Sequence, residues 1–109
     1  MTYLVLAAVA AVSGWLVPMT QATAPHPTLV YACPGGETVT ARYPDANTAV
    51  IQYKGASHKL KIAPSADGAR YIGDGLQWWT KGMTVGMISP LAPGAAYAEP
   101  GPQCTAPGG

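Results

Sequence analysis

Polar and apolar positions alternate along this chain in short runs, and the clearest run is Ser57 to Ala63. There His58, Leu60 and Ile62 fall on one side while Lys59 and Lys61 fall on the other. A period of two with lysines outward predicts a strand that is wet on one face. Similar short segments rich in β-branched and aromatic residues lie on both sides of it, separated by turn chemistry. Leu29 to Cys33 is stopped by Pro34-Gly35-Gly36, and Thr38 to Tyr43 by Pro44-Asp45. Thr48 to Tyr53 runs into Lys54-Gly55. Ala69 to Ile72 precedes Gly73-Asp74-Gly75, Leu76 to Lys81 ends at Gly82, and Met83 to Ser89 follows. After the first two dozen residues, no window carries the apolar stripe of a helix. The pattern predicts seven or eight short antiparallel strands, hence a sandwich or a small barrel, and closure into a barrel also removes exposed edges. The last 20 residues hold five prolines and four glycines. They are expected to be irregular, with Tyr97 continuing a last weak strand.

The beginning of the chain follows a different pattern. Tyr3 to Val17 is an uncharged, largely apolar run, shorter than a membrane span needs. Pro18 breaks it, and Ala22-Thr23-Ala24 has the small residues of a signal-peptidase site. Residues 1–24 are therefore read as a signal peptide and 25–28 as an extended leader. The folded domain is then expected over 29–104, with a disordered tail over 105–109. This organisation predicts a periplasmic or secreted protein.

Charge changes the picture by exclusion. Six basic and five acidic side chains give a formal charge of +1, and charged residues are 10% of the chain, against roughly 25% in average soluble domains. No basic face is available for nucleic acid. Phe is absent, so the core must rest on Val, Ile, Leu, Ala, Tyr and Trp. Domains of this size bury only about 60% of the surface of their unfolded chain, and a covalent staple helps them. The chain has two cysteines, Cys33 and Cys104. In an oxidising compartment they read as one disulfide, which would disfavour the unfolded chain by roughly 4 kcal/mol in the chain-entropy account. Val30-Tyr31-Ala32-Cys33 faintly resembles a lipid-attachment motif, but Pro25, His26 and Pro27 separate it from the apolar run, which argues against a lipid anchor. Two distant cysteines with His26 or His58 do not make a metal site, and no cofactor is expected.

Enzyme chemistry finds little support. The only histidines are His26 in the leader and His58 on an apolar strand face, and no Gly-x-Ser-x-Gly elbow occurs. The carboxylates Glu37, Asp45, Asp67, Asp74 and Glu99 are scattered, mostly at turns, and nominate no glycosidase pair. The densest chemistry runs from Ser65 to Gly82 and includes Arg70, Tyr71, Trp78, Trp79 and Lys81. In a strand Trp78 and Trp79 point to opposite faces. One serves the core, and the other either covers an edge or belongs to a sugar- or protein-binding patch.

Four features of this chain resemble the bacterial inhibitors of C-type lysozyme. They are Tyr31-x-Cys33, Gly68-Ala69-Arg70-Tyr71, Trp78-Trp79-Thr80-Lys81-Gly82 and the closing Cys104. The resemblance spans Leu29 to Cys104. It implies an all-β, eight-stranded antiparallel barrel with one disulfide, acting on C-type lysozyme as its protein partner. It further implies two loops that enter the lysozyme cleft, around Asp67–Tyr71 and Trp79–Gly82. Lys81 would take the role of the lysine that faces the catalytic carboxylates. Gly68 and Tyr71 match the first loop, with Ser65, Arg70, Trp79 and Thr80 as further contacts. Asp67 stands where the family has a serine. An aspartate there could accept a hydrogen bond from a protonated carboxyl of the partner, pair with Arg70, or cap its own turn.

Two other readings compete. One is a module that binds cell-wall carbohydrate through Trp78 or Trp79. The other is an envelope barrel of the same family that does not inhibit. A homodimer is compatible with all three, and none requires it.

Overall fold

The computed structural model describes residues 27–107, and the segment read as a signal peptide (residues 1–24) and His26 lie outside that range. Eight strands follow in order: β1 Thr28–Ala32, β2 Thr38–Asp45, β3 Thr48–Tyr53, β4 Ala56–Ala63, β5 Ala69–Gly73, β6 Leu76–Lys81, β7 Val85–Pro90 and β8 Gln103–Thr105. Each pairs antiparallel with its neighbours, and β8 returns to β1 through Ala32 and Thr105 to close the barrel. The expected eight-stranded barrel is the observed fold.

Turn chemistry sets the register. Lys54-Gly55 and Asp74-Gly75 are two-residue hairpin loops, with both residues of each at positive φ. That is the backbone of the primed turns whose twist matches the flanking strands. β2 runs past Pro44 to Asp45 because the register shifts between Arg42 and Asp45, and such a bulge tolerates a residue without an N–H.

Several strand ends move by a residue or two from expectation, and three boundaries change the picture. β1 begins at Thr28, inside the segment read as leader. β7 begins at Val85, so Met83 belongs to the turn before it. The last strand is centred on Cys104 rather than Tyr97, and order continues through Thr105 to buried Ala106. Ala32↔Thr105 pairing and the Cys33–Cys104 disulfide hold β8 in place. Tyr97 lies instead in an irregular strap over residues 91–102.

Inside the barrel, Tyr31, Val39, Ala41, Ile51, Leu60 and Trp78 are fully buried. Trp78 fills the centre, edge-on to Tyr31 with ring centroids 4.9 Å apart. Gly86 makes room for it, since a Cβ there would collide with the Trp78 ring. A core built on Tyr and Trp instead of Phe must satisfy their polar ends. It does so in series: Trp78 Nε1 donates to Tyr43 Oη at 2.9 Å, Tyr43 and Tyr31 hydroxyls meet at 3.2 Å, and Tyr31 donates to the Met83 carbonyl at 2.9 Å. Ile62, on the same side as Leu60, is 40% exposed, because it lies past the last β3–β4 pair.

The outer face of β5–β7 is covered by the strap. Arg70 is only 7% exposed and Gln77 is fully buried, although both point outward from the barrel. The Arg70 guanidinium donates to the Pro64 carbonyl (3.0 Å), the Ala96 carbonyl (2.8 Å) and Gln77 Oε1 (3.0 Å). Gln77 in turn bonds both backbone groups of Ala98. Gly101 packs so closely on the Ile88 carbonyl that no Cβ fits.

Candidate functional site

Two loops meet at one mouth of the barrel: the turn of residues 64–68 before β5 and the turn of residues 82–84 after β6. Gly68 joins them. Its φ of +65° suits glycine, and a Cβ there would collide with the Thr80 carbonyl oxygen and press on the Lys81 side chain. Ser65 Oγ donates to the Gly68 carbonyl at 3.2 Å, and Trp79 Nε1 donates to the Asp67 carbonyl at 2.9 Å. The first loop is thereby held against β6, and Lys81 and Asp67 stand side by side at the rim. Their charged atoms are 3.5 Å apart, with the two side chains 51% and 65% exposed. Asp67 thus pairs with Lys81 and not with Arg70, whose hydrogen bonds go to carbonyls beneath the strap.

The remaining residues singled out from sequence divide by position. Tyr71 and Thr80 are buried at the inner wall of the mouth, and Thr80 Oγ1 donates to the Ala69 carbonyl at 3.4 Å. Trp78 is the inward tryptophan and Trp79 the outward one. Trp79 is half-buried, edge-on to Tyr97 at 6.0 Å, and the Arg70 guanidinium lies 5.9 Å from its ring and 5.5 Å from that of Tyr97. Arg70 and Trp79 therefore support the first loop from behind. His58 sits 3.3 Å from Asp74 at another turn. Among the described residues, no three His, Cys, Asp or Glu side chains cluster as a metal site would require.

Between the loops lies a cleft of about 460 Å³. Gly68, Ala69 and Tyr71 form one side, and Thr80, Gly82 and Met83 a second. The third side is Tyr43, Asp45 and Ala46, from the end of β2 and its turn, which the sequence reading did not nominate. They are far from Gly68 and Gly82 in the chain, and only barrel closure brings them there. Proline and aspartate at 44–45 gave a turn signal but no hint of where that turn would sit.

Burial pushes the Tyr43 phenol well above its ordinary value, while the Trp78 hydrogen bond opposes the shift. Tyr31 and Tyr71 are raised for the same first reason, burial. Asp45 is held below the usual carboxylate range by the Asn47 backbone N–H, with Thr48, Lys61 and Lys59 assisting. Its Oδ1 accepts that N–H at 2.8 Å. The mouth thus carries two carboxylates: Asp67 is paired with the Lys81 ammonium, whereas Asp45 feels Lys61 and Lys59 only at longer range.

Fold and mouth together define a class: a small disulfide-closed β-barrel that presents a rigid pair of loops around a recess. Residues 31–91, more than half of the chain, match the family described as membrane-bound lysozyme-inhibitor of c-type lysozyme, and the chain belongs to that family. A curated relative from Cupriavidus necator, named membrane-bound lysozyme inhibitor of C-type lysozyme, is 44% identical over 55 residues. That stretch covers 48% of this chain and 44% of the relative, so less than half of the relative's length is spanned. No solved structure matches the chain.

Proposed function

We propose that this protein inhibits C-type lysozyme by placing the 64–68 loop and the Lys81–Gly82 turn in the enzyme's active-site cleft. Inhibition is by occupancy, with no turnover and no cofactor. The observation that carries this reading is the locking of the two loops by Gly68 against Thr80, which presents Lys81 at the rim of a preorganised mouth. Preorganised loops lose little further entropy on binding. Membership of the inhibitor family and the name of the relative support the choice of partner.

Lys81 is the principal contact. A lysozyme cleft holds one ionised carboxylate and one kept protonated near neutrality. The Lys81 ammonium exchanges Asp67 for the ionised group. Exposed pairs such as Lys81–Asp67 are worth about 0–1 kcal/mol, whereas a pair desolvated at an interface can be worth a few. The exchange is therefore favourable. Asp67, Ser65, Gly68, Tyr71 and Thr80 shape the contacting loops, with Arg70 and Trp79 behind them. The protein acts in the cell envelope, periplasmic or secreted. Cys33 is committed to Cys104, which leaves it no thiol for a lipid.

The carbohydrate-platform reading is less favoured, since Trp78 is enclosed in the core and the half-buried Trp79 packs against Tyr97 and the Arg70 guanidinium. The test is lysis of a cell-wall suspension by a C-type lysozyme, with the oxidised domain titrated in. Wild type should inhibit stoichiometrically, and Lys81→Ala should raise the inhibition constant more than tenfold, or more than about 1.4 kcal/mol. A folded Lys81→Ala variant that inhibits as well as wild type would remove Lys81 from the mechanism.

A further inference from the structure

Lys81 accounts for one charge at the mouth, but the cleft beside it has chemistry of its own. Its walls are the rings of Tyr43 and Tyr71 with Ala69 and Met83, and its one charged side chain is Asp45. Asp45 makes no ion pair within 4 Å among the described residues, in contrast to Asp67. Hydrogen bonding to Asn47 keeps it ionised and fixes the carboxylate in place. An apolar, aromatic recess with a fixed carboxylate complements a side chain that has a long aliphatic stem and a cationic end. The cleft is also continuous with the proposed contact surface, because Gly68 and Gly82 belong to both.

We infer that this cleft receives a basic side chain, arginine or lysine, projected by the lysozyme. The stem lies against Tyr43, Tyr71 and Met83, and the cation meets Asp45. This deepens the inhibitor reading and rests on it. The interface then has two reciprocal charge contacts of opposite sense: Lys81 reaches out to a carboxylate, and Asp45 receives a cation. Reciprocal polarity of this kind fixes docking orientation, because a rotated complex would set like charges against each other.

The test compares wild type, Asp45→Asn, Ala69→Leu and Lys81→Ala in the lysis assay. Asparagine keeps a side-chain oxygen for the Asn47 N–H while removing the charge. Leucine at 69, on the same strand side as Tyr71, fills the cleft. Asp45→Asn should raise the inhibition constant about fivefold at low salt and less at high salt. Ala69→Leu should raise it further with its melting temperature retained. In parallel, acetyl-arginine amide titrated into labelled wild-type domain should shift the amide resonances of Gly68, Ala69 and Gly82. The neutral isostere acetyl-citrulline amide should not. If wild type inhibits and Lys81→Ala does not, while both cleft variants match wild type, the cleft inference falls and the inhibitor reading stands. If wild type fails to inhibit, both fall. Should Ala69→Leu not fold, equal shifts from the arginine and citrulline probes overturn the cleft assignment on their own.

Discussion

Replacing Arg70 separates what holds the barrel together from what touches a partner. The guanidinium is nearly buried and donates to Pro64 O, Ala96 O and Gln77 Oε1, with the rings of Trp79 and Tyr97 beside it. Arg70→Met keeps most of the stem and removes every donor. Gln77 Oε1 retains the Ala98 N–H, but the Pro64 and Ala96 carbonyls lose their partners. Stranding a buried acceptor costs about 1–3 kcal/mol, so two give roughly 2–4 kcal/mol after some rehydration at the strap edge. For a domain of this size each kcal/mol moves the melting temperature by about 4–8 °C. Arg70→Met should therefore melt at least about 8 °C below wild type with the disulfide intact. Arg70→Lys should recover only part of this, because one ammonium reproduces neither the planar fork nor the ring contacts.

The two readouts for this variant should diverge. Hydrogen exchange at the Ala98 amide should accelerate, since that N–H bonds to Gln77, which Arg70 orients. Well below the melting transition, inhibition should weaken by no more than about fivefold, because Arg70 touches the first loop only through the Pro64 carbonyl and lies beneath the strap rather than at the rim. The Cys33–Cys104 bond limits the damage by keeping β8 in place when the strap loosens. A melting temperature within about 3 °C of wild type, or lost inhibition at unchanged stability, would refute the reasoning and make Arg70 a contact residue.

Gly68→Ala should lose both stability and inhibition, because it adds left-handed strain of about 1–2 kcal/mol to a collision with the Thr80 carbonyl that forces the loop off β6. Gly82→Ala is the matched control: φ is +67° and nothing lies within 4 Å of the added Cβ, so chemical denaturation should show the strain alone, and equal losses in the two variants would deny the loop contact. Alkaline titration tests the aromatic core. Tyr31, Tyr43 and Tyr71 are raised above 10.0 in the folded state, so the native domain retains protons that the unfolded chain releases. Stability is then fully present below pH 10 and declines as pH rises above it. Phenolate absorbance should show a late fraction that appears only on unfolding and shrinks in Tyr43→Phe. Complete titration near pH 10 with the fold intact would contradict the buried hydroxyl chain.

The strands were legible because a half-wet wall leaves a mark at every second residue. Thr48–Tyr53 and Leu76–Lys81 have the expected bounds to the residue, each bracketed by turns that only certain residues can make. Legibility ended where neither alternation nor turn chemistry applies. β8 is three residues long and is held by β1, β7 and a disulfide rather than by its own pattern. Tyr97 looked like a strand residue because its composition suited one, yet it serves as a lid on Trp79.

The candidate site shows the same boundary in chemical form. Lys81, Asp67, Gly68 and Tyr71 are close in sequence across one hairpin, so a local motif could bring them to notice together. Arg70 belongs to the same run, but its surroundings depend on a strap 26 residues away in the chain. A cation on the outward side of a strand reads as solvent-facing until something is known to cover it. Asp45 is the converse case, a turn carboxylate with nothing local to distinguish it from Asp74. Its position at the mouth follows from closure of the barrel, which sets the end of β2 beside β5 and β6. Charges on one hairpin can be assigned from sequence, whereas charges that meet across a closed sheet require the closure itself. The reciprocal pair of contacts proposed here, Lys81 outward and Asp45 inward, has one member of each kind.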